Sequence, residues 1–333
     1  MRDAREPGSS PAAYWRSPDL EIKVGISSCL LGEAVRYDGG HQKDSYVTGA
    51  LSRYFTWVSV CPEMELGLGA PRETLRLVGN AAAPRLVATQ SGTDLTDAMD
   101  TYARARVGAL GAAGLSGYIL KRSSPSCGME RVKVYTEAGM PSRNGSGLFA
   151  RRLMDTYPLL PVEEEGRLSD ARLRDNFITR VFAYRRLRAL EESGARAKDI
   201  VGFHTAHKFL LLAHSPVDYA RLGRLLGNLK RLPRAGWLAR YGEGFMRALA
   251  VGATTRKHVN ALQHIMGFFK ERLSTEEKRE LLGHIGDFAR GLVPLVVPIT
   301  LINHYVARFA VSYVADQIYL SPHPKELMLR NHV

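Results

Sequence analysis

Three cysteines in 333 residues are too few for a disulfide framework, and an odd number leaves one unpaired. They stand at 29, 61 and 127, so there is no C-x-x-C pair, which argues against a structural zinc ribbon. Long apolar runs are also lacking. The most apolar stretch, 292–302, is broken by Pro294 and Pro298 and falls well below the roughly 18 residues that span a bilayer, so no membrane role is expected. Acidic residues are short in one half only. Residues 161–333 carry 27 Lys/Arg against 17 Asp/Glu, while residues 1–160 carry 19 against 16. A basic half beside a near-neutral half suggests chemistry in one domain and a polyanion partner for the other. The plainer alternative is a basic, solvated surface.

The opening residues 1–20 are polar and rich in Pro, Ser and Arg, without the apolar core of an export signal. They read as a disordered lead-in, and three free thiols fit a reducing cytoplasm. Strand candidates follow at 21–26, 56–60 and 116–120, with weaker ones at 85–89 and 132–136. Helical patterns lie at 43–54 and 95–113. Alternation of strand and helix predicts an α/β domain with a mostly parallel, Rossmann-like sheet over 21–165. Residues 141–147 (PSRNGSG) read as a loop and 158–169 as a connector. From about 166 to 333 the pattern becomes an all-α domain, with helices expected at 169–193, 196–214, 216–231, 236–252, 255–273, 275–290 and 295–319.

Each cysteine stands just past a strand candidate. In an open parallel sheet those ends share one edge, where ligands bind, so Cys29, Cys61 and Cys127 can converge. The alternative is three separate cysteines acting as small buried hydrophobes. Pro62 and Pro125 stop regular structure, and Ser27, Ser28, Ser124 and Ser126 offer hydroxyls, which favours a site. Three thiolates can hold a catalytic zinc with a water. They can also hold a cubane iron–sulfur cluster that keeps one iron open. A phosphatase loop needs Cys-x5-Arg, whereas six residues separate Cys29 from Arg36.

The runs Ser28-Cys29-Leu30-Leu31-Gly32, Arg36-Tyr37-Asp38-Gly39, Cys61-Pro62-Glu63 and Ser124-Pro125-Ser126-Cys127-Gly128 resemble the thiouracil desulfidase (TudS) family over about residues 21–165. The second half, including its ending Tyr319-Leu320-Ser321-Pro322-His323-Pro324-Lys325-Glu326-Leu327, resembles the YbgA-like helical domain. Together they are similar to the fused RudS type, which acts on 4-thiouridine in tRNA. The resemblance implies a 4Fe-4S cluster on Cys29, Cys61 and Cys127, and a catalytic Glu at Glu63. It implies a catalytic Ser at Ser124, with Ser126 as the competing position. A thiocarbonyl is a soft donor suited to an open iron, and a carboxylate beside a ligand is placed to activate water. Glu63 is otherwise a loop carboxylate paired with Arg72 or Lys121. Ser28, Arg36 and Asp38 are candidates for substrate contact, although Tyr37-Asp38-Gly39-Gly40 also has turn chemistry.

Residues 172–272 carry 20 Lys/Arg against 7 Asp/Glu. Arg180, Arg185, Arg186 and Arg188 on one helix, Lys230, Arg231 and Arg234 with Arg240 around Pro233, and Arg256-Lys257 at a helix start are the candidate phosphate contacts for tRNA. His204, His207 and Lys208 share a helix face, and a metal there is disfavoured by the lack of a nearby carboxylate. Trp237, Tyr241 and Phe245 recur at core spacing. The function expected is desulfuration of 4-thiouridine in tRNA. Small thiolated uracil compounds are alternative substrates, and a non-catalytic, cluster-bearing RNA-binding or redox-sensing protein is the rival class.

Overall fold

The computed structural model describes residue 15, residues 20–229 and residues 233–333, without the side chains of Arg234 and Ala235. The chain forms two compact units, one of residues 21–170 and one built on residues 171–333. The division falls between Asp170 and Ala171, one residue beyond the connector read at 158–169.

The first unit holds two four-stranded sheets. The first is all parallel: β1 (Lys23–Ser27), β2 (Thr56–Val60), β5 (Gly117–Leu120) and β8 (Val162–Glu164), in the order β2-β1-β5-β8. Every residue of β5 is buried, as expected of a strand covered on both faces. The chain steps from β1 to β2 on one side, then crosses back to β5 on the other. That reversal makes a crevice at the carboxyl ends of β1 and β5. Gly25 is required here, because a Cβ on it would stand 2.2 Å from the ring of Tyr118. Helices α1 (Ser45–Gly49), α2 (Pro62–Glu65) and α3 (Thr96–Ala112) lie between strands.

The second sheet is mixed and was not legible as a separate sheet. It runs β4 (Ala83–Ala88), β3 (Leu75–Asn80), β6 (Val132–Tyr135) and β7 (Pro141–Gly145) in that spatial order, and only β3 and β6 pair parallel. The loop expected at 141–147 is thus a strand over Pro141–Gly145. It is an edge strand with four exposed residues, so turn-like composition is tolerated there. The connector expected at 158–169 contains β8. Helix α4 (Leu148–Thr156) was also unread.

The second unit is helical: α5 (Ala171–Glu192), α6 (Ala197–His214), α7 (Pro216–Gly227), α8 (Arg234–Ala250), α9 (Thr255–Met266), α10 (Thr275–Ala289), α11 (Val296–Phe309) and α12 (Ser312–Ala315). The span expected as one helix over 295–319 breaks where Ala310 takes a left-handed φ of 50°. Trp237, Tyr241 and Phe245 are buried with Phe203 and Phe209, so the aromatic repeat is core. His207 bonds the carbonyl of Phe203 at 2.8 Å, and His204 contacts the hydroxyl of Tyr241 at 3.3 Å. Both are structural histidines. Trp15 is buried, 5.0 Å from the ring of Phe203 and 5.5 Å from that of His207, so the disordered lead-in expected over 1–20 does not hold at this residue. The other residues of the 1–20 lead-in, apart from Leu20, lie outside the described residues.

The C-terminal motif is locked into this unit by buried polar contacts. His323 donates to Asp175 at 3.1 Å, His258 meets the Tyr319 hydroxyl at 3.0 Å, and Arg330 donates to the Tyr319 carbonyl at 2.5 Å.

Candidate active site

Cys29, Cys61 and Cys127 line one cavity of about 470 Å³ at the crevice of the parallel sheet. Each is brought there by a different strand. Cys29 follows β1 in a 3-10 turn, Ser28–Leu31, that closes on Gly32 with a φ of 99°. Its carbonyl accepts the Gln42 N–H at 2.9 Å. Cys61 follows β2 and caps α2, with Pro62 in the first turn where a missing N–H costs nothing. Cys127 follows β5 in a loop held by the start of α4. There the N–H groups of Gly147, Leu148 and Ala150 reach the carbonyls of Gly128, Pro125 and Ser126 at 2.8, 3.2 and 3.2 Å. These are the orphan donors of a helix N-terminus, used to fix the cysteine loop. Gly147 permits the approach, since a Cβ there would lie 2.4 Å from the Ser126 carbonyl oxygen.

Glu63 lies at the cavity wall with both oxygens engaged. Arg72 donates to Oε2 through Nε at 2.9 Å and Nη2 at 2.5 Å, and Ser126 donates to Oε1 at 2.8 Å. The Arg72 pairing weighed from the sequence is therefore present, and it coexists with a place in the cavity. Lys121 pairs with Glu165 instead, at 2.5 Å. Ser126 is fully buried. Ser124 lines the cavity and accepts the N–H groups of Ser126 and Cys127 at 3.2 and 3.1 Å. The two serines thus differ in kind: one orients the carboxylate, the other ties the cysteine loop with its oxygen and keeps its own hydrogen to donate.

Ser28 lines the cavity, and its hydroxyl meets that of Ser59 at 2.6 Å. Arg36 and Tyr37 also line it. Asp38 is not among the lining residues. Its carboxylate accepts the Gly40 N–H at 3.0 Å and pairs with Arg36 at 3.4 Å. Those partners hold it below the usual carboxylate range, and it acts as a turn residue that steadies Arg36. Arg72, Lys121, Arg122, Ser27 and Thr74 also line it. Lys121 and Arg122 directly follow β5, as Cys61 directly follows β2, and that position is their signal.

Burial pushes the Cys29 thiol up to about 11, with Lys121 pulling the other way. Burial also raises Cys61 and, more strongly, Cys127, where Glu63 adds to the effect. The Cys127 thiol senses the charge of Cys61 and Cys29, and the Cys29 thiol that of Cys61. Among the described residues no group of three or more His, Cys, Asp or Glu side chains is placed to hold a single metal ion. Three soft thiol donors spread around one cavity suit a polynuclear group that meets each at a different metal atom.

A family model described as 2-thiouracil desulfurase matches residues 24–165. Over 133 residues the chain is 31% identical to the uncharacterized protein YbbK of Bacillus subtilis (strain 168), spanning 38% of this chain and 87% of that one. The chain belongs to the 2-thiouracil desulfurase family. A solved structure described as the 4Fe-4S-dependent thiouracil desulfidase TudS is 32% identical, covers 45% of this chain and 94% of its own, and aligns with a TM-score of 0.38. The family domain ends before the helical unit, where a second model, a protein of unknown function (DUF1722), matches residues 208–324. The uncharacterized protein YbgA of Escherichia coli (strain K12) is 28% identical over 161 residues, 48% of this chain and 95% of its own.

Beyond the desulfurase-family domain, the expected basic cluster on α5 is not one exposed face. Successive helical residues point about 100° apart, and the arginines diverge accordingly. Arg186 turns inward, with Nη1 buried and Nη2 donating to the Pro322 carbonyl at 2.6 Å. Arg185 is 15% exposed and bonded to Glu192, while Arg188 is 40% exposed and shares Glu191 and Glu192. Arg180 is half-buried. Lys257 donates to the His214 carbonyl at the end of α6, at 2.7 Å, a capping role. Arg256 is exposed. Lys230 and Arg231, and the side chain of Arg234, lie outside the described residues. Arg240, read with the Pro233 group, is exposed, and so is Arg224, a cation outside those clusters. No helix among the described residues is long and apolar enough to cross a membrane.

Proposed function

We propose that residues 21–170 hold a 4Fe-4S cluster through Cys29, Cys61 and Cys127 and remove sulfur from a thiolated uracil, and that the basic helical unit binds the tRNA carrying it as 4-thiouridine. The observation that carries this reading is the meeting of three free thiols and Glu63 at one cavity. When bound by three protein ligands, a cubane supplies an open iron as a Lewis acid for a thiocarbonyl sulfur.

The chain's own residues do the rest. A carboxylate has about four acceptor positions, so Glu63 can take a proton from water while Arg72 and Ser126 hold its plane. That water attacks the carbon bearing sulfur. The Ser124 O–H is left to donate to the water or to the base edge. Thiocarbonyl plus water gives carbonyl plus hydrogen sulfide, with no net electron transfer. A place in the reducing cytoplasm fits the three free thiols.

A second reading, turnover of a free thiolated nucleotide, is favoured by Arg36 and Arg122 at the same cavity, where a phosphate finds two guanidinium groups. Anaerobic reconstitution with iron and sulfide tests both. The protein is then incubated with 2-thiouracil, 4-thiouridine monophosphate or thiolated tRNA, and nucleosides and hydrogen sulfide are measured. Release from tRNA above the small compounds supports the main reading. A colourless, fully active aerobic protein holding stoichiometric zinc overturns it.

A further inference from the structure

The four cations at the cavity are not equivalent. Arg72 is committed to Glu63 and to the carbonyls of Val35 and Gly69. Arg36 pairs with Asp38 and Gln42, and the Arg122 side chain is 64% exposed. Lys121 is different. Its side chain is 16% exposed, it lines the cavity together with Cys29, and its ammonium is bonded to Glu165 at 2.5 Å.

Both members of that pair are fixed through the backbone. Lys121 follows β5, and its N–H donates to the Ser27 hydroxyl at 3.0 Å. Glu165 follows β8; its N–H reaches the Leu120 carbonyl at 3.2 Å, and its Oε2 accepts the Arg122 N–H at 2.8 Å. The ammonium therefore has a set position, unlike a surface lysine. The backbone anchor of Lys121, Ser27, stands two residues before Cys29.

Three thiolates in one buried cavity repel each other, and a desulfuration adds an anionic sulfur to them. Charge of one sign in a low-dielectric site is costly without a fixed opposite charge. We propose that Lys121, positioned by Glu165, is the counter-charge of this sulfur site, favouring the retention of anionic sulfur beside Cys29. Glu165 is the positioning residue, and it keeps the ammonium paired when sulfur is absent. The inference rests on the reading that the three thiols hold a cluster.

The test uses the full chain, reconstituted anaerobically, as wild type, Lys121→Met and Lys121→Arg. Two quantities are read without turnover: the reduction midpoint and the affinity for sodium hydrosulfide by spectral titration. Loss of a positive charge disfavours both an added electron and an added anion. The Met variant should bind hydrosulfide about tenfold more weakly, with the reduction equilibrium shifted about tenfold toward the oxidised form, about 59 mV for one electron. The Arg variant should stay near wild type in both. A Met variant with wild-type iron, midpoint and hydrosulfide affinity overturns the inference. If the Met variant loses its iron, retention in the Arg variant supports a charge requirement, and loss in both overturns it. A wild-type chain that takes up no iron defeats the desulfidase reading itself, and this inference with it.

Discussion

Ser126 donates its hydroxyl to Glu63 at 2.8 Å across 63 positions of sequence, joining the loop that carries Cys127 to the turn that carries Cys61. The carboxylate is thus oriented by the same segment that supplies a thiol.

Glu63→Gln should keep iron and lose turnover by about 10²–10⁴-fold, the usual contribution of a general base. Ser126→Ala should lose less, since Arg72 still holds the other oxygen, and the double variant should be no worse than Glu63→Gln alone. Iron content and single-turnover rates on 2-thiouracil check this. A Glu63→Gln rate above half of wild type would assign Glu63 a structural role.

Ser124→Ala removes the acceptor for two N–H groups in the Cys127 loop. By analogy with helix caps, the loss is about 1 kcal/mol, and iron should be held less firmly against a chelator. Chelator-challenge rates in the wild type and variant measure it.

Gly147→Ala places a methyl group against the Ser126 carbonyl, 2.4 Å away before any shift. Overpacking of this kind costs about 1–3 kcal/mol. The helical circular dichroism should be retained while iron occupancy falls. Normal iron in a stable Gly147→Ala protein would show that the loop and α4 can separate without loss.

In the helical unit, Arg224, Arg240 and Arg256 are exposed, whereas Arg186 is turned inward. Charge reversal of the three exposed residues should weaken tRNA binding and flatten the salt slope by about 0.7–0.9 per lost phosphate contact. Rates on 2-thiouracil should hardly change. Arg186→Ala should instead lower the unfolding midpoint, because it strands a buried carbonyl. Filter binding across a salt series, with thermal unfolding beside it, separates the two effects.

Burial lowers His214 and His204 to about 4 and His258 to about 3. All three are neutral in the folded unit and gain a proton more readily once unfolded. Their contribution is therefore complete above the ordinary histidine value near 6.5 and is lost as pH falls toward about 4. The unfolding midpoint of the helical signal should drop over that window, and His258→Phe should reduce the slope. A midpoint independent of pH from 7 to 4.5 would contradict it.

Much of the parallel sheet was legible, because β1, β2 and β5 are short apolar runs rich in Val, Ile and aromatic residues, each followed within a few residues by loop-forming Ser, Pro or Cys. The long helices were legible from their apolar period. The second sheet was not. Pro141–Gly145 has the composition of a turn and becomes a strand only because Val132–Tyr135 offers it a partner, which is tertiary context. The convergence of Cys29, Cys61 and Cys127 was readable from their positions after strand candidates, and Glu63 from the family resemblance and its place two residues after Cys61. The Lys121–Glu165 pair was not, since it needs β5 and β8 to be neighbours. The arginines of α5 looked like one patch because clustering in sequence says nothing of direction around a helix.

The three thiols come from three strand ends, 32 and 66 residues apart in the chain. Closing loops of that length costs entropy that grows with the logarithm of length. The folded sheet meets that cost in advance by setting the three thiols at one cavity, whereas small metal domains draw it from the binding of their ion. A chain in which β5 is not yet paired with β1 would bring only Cys29 and Cys61 together.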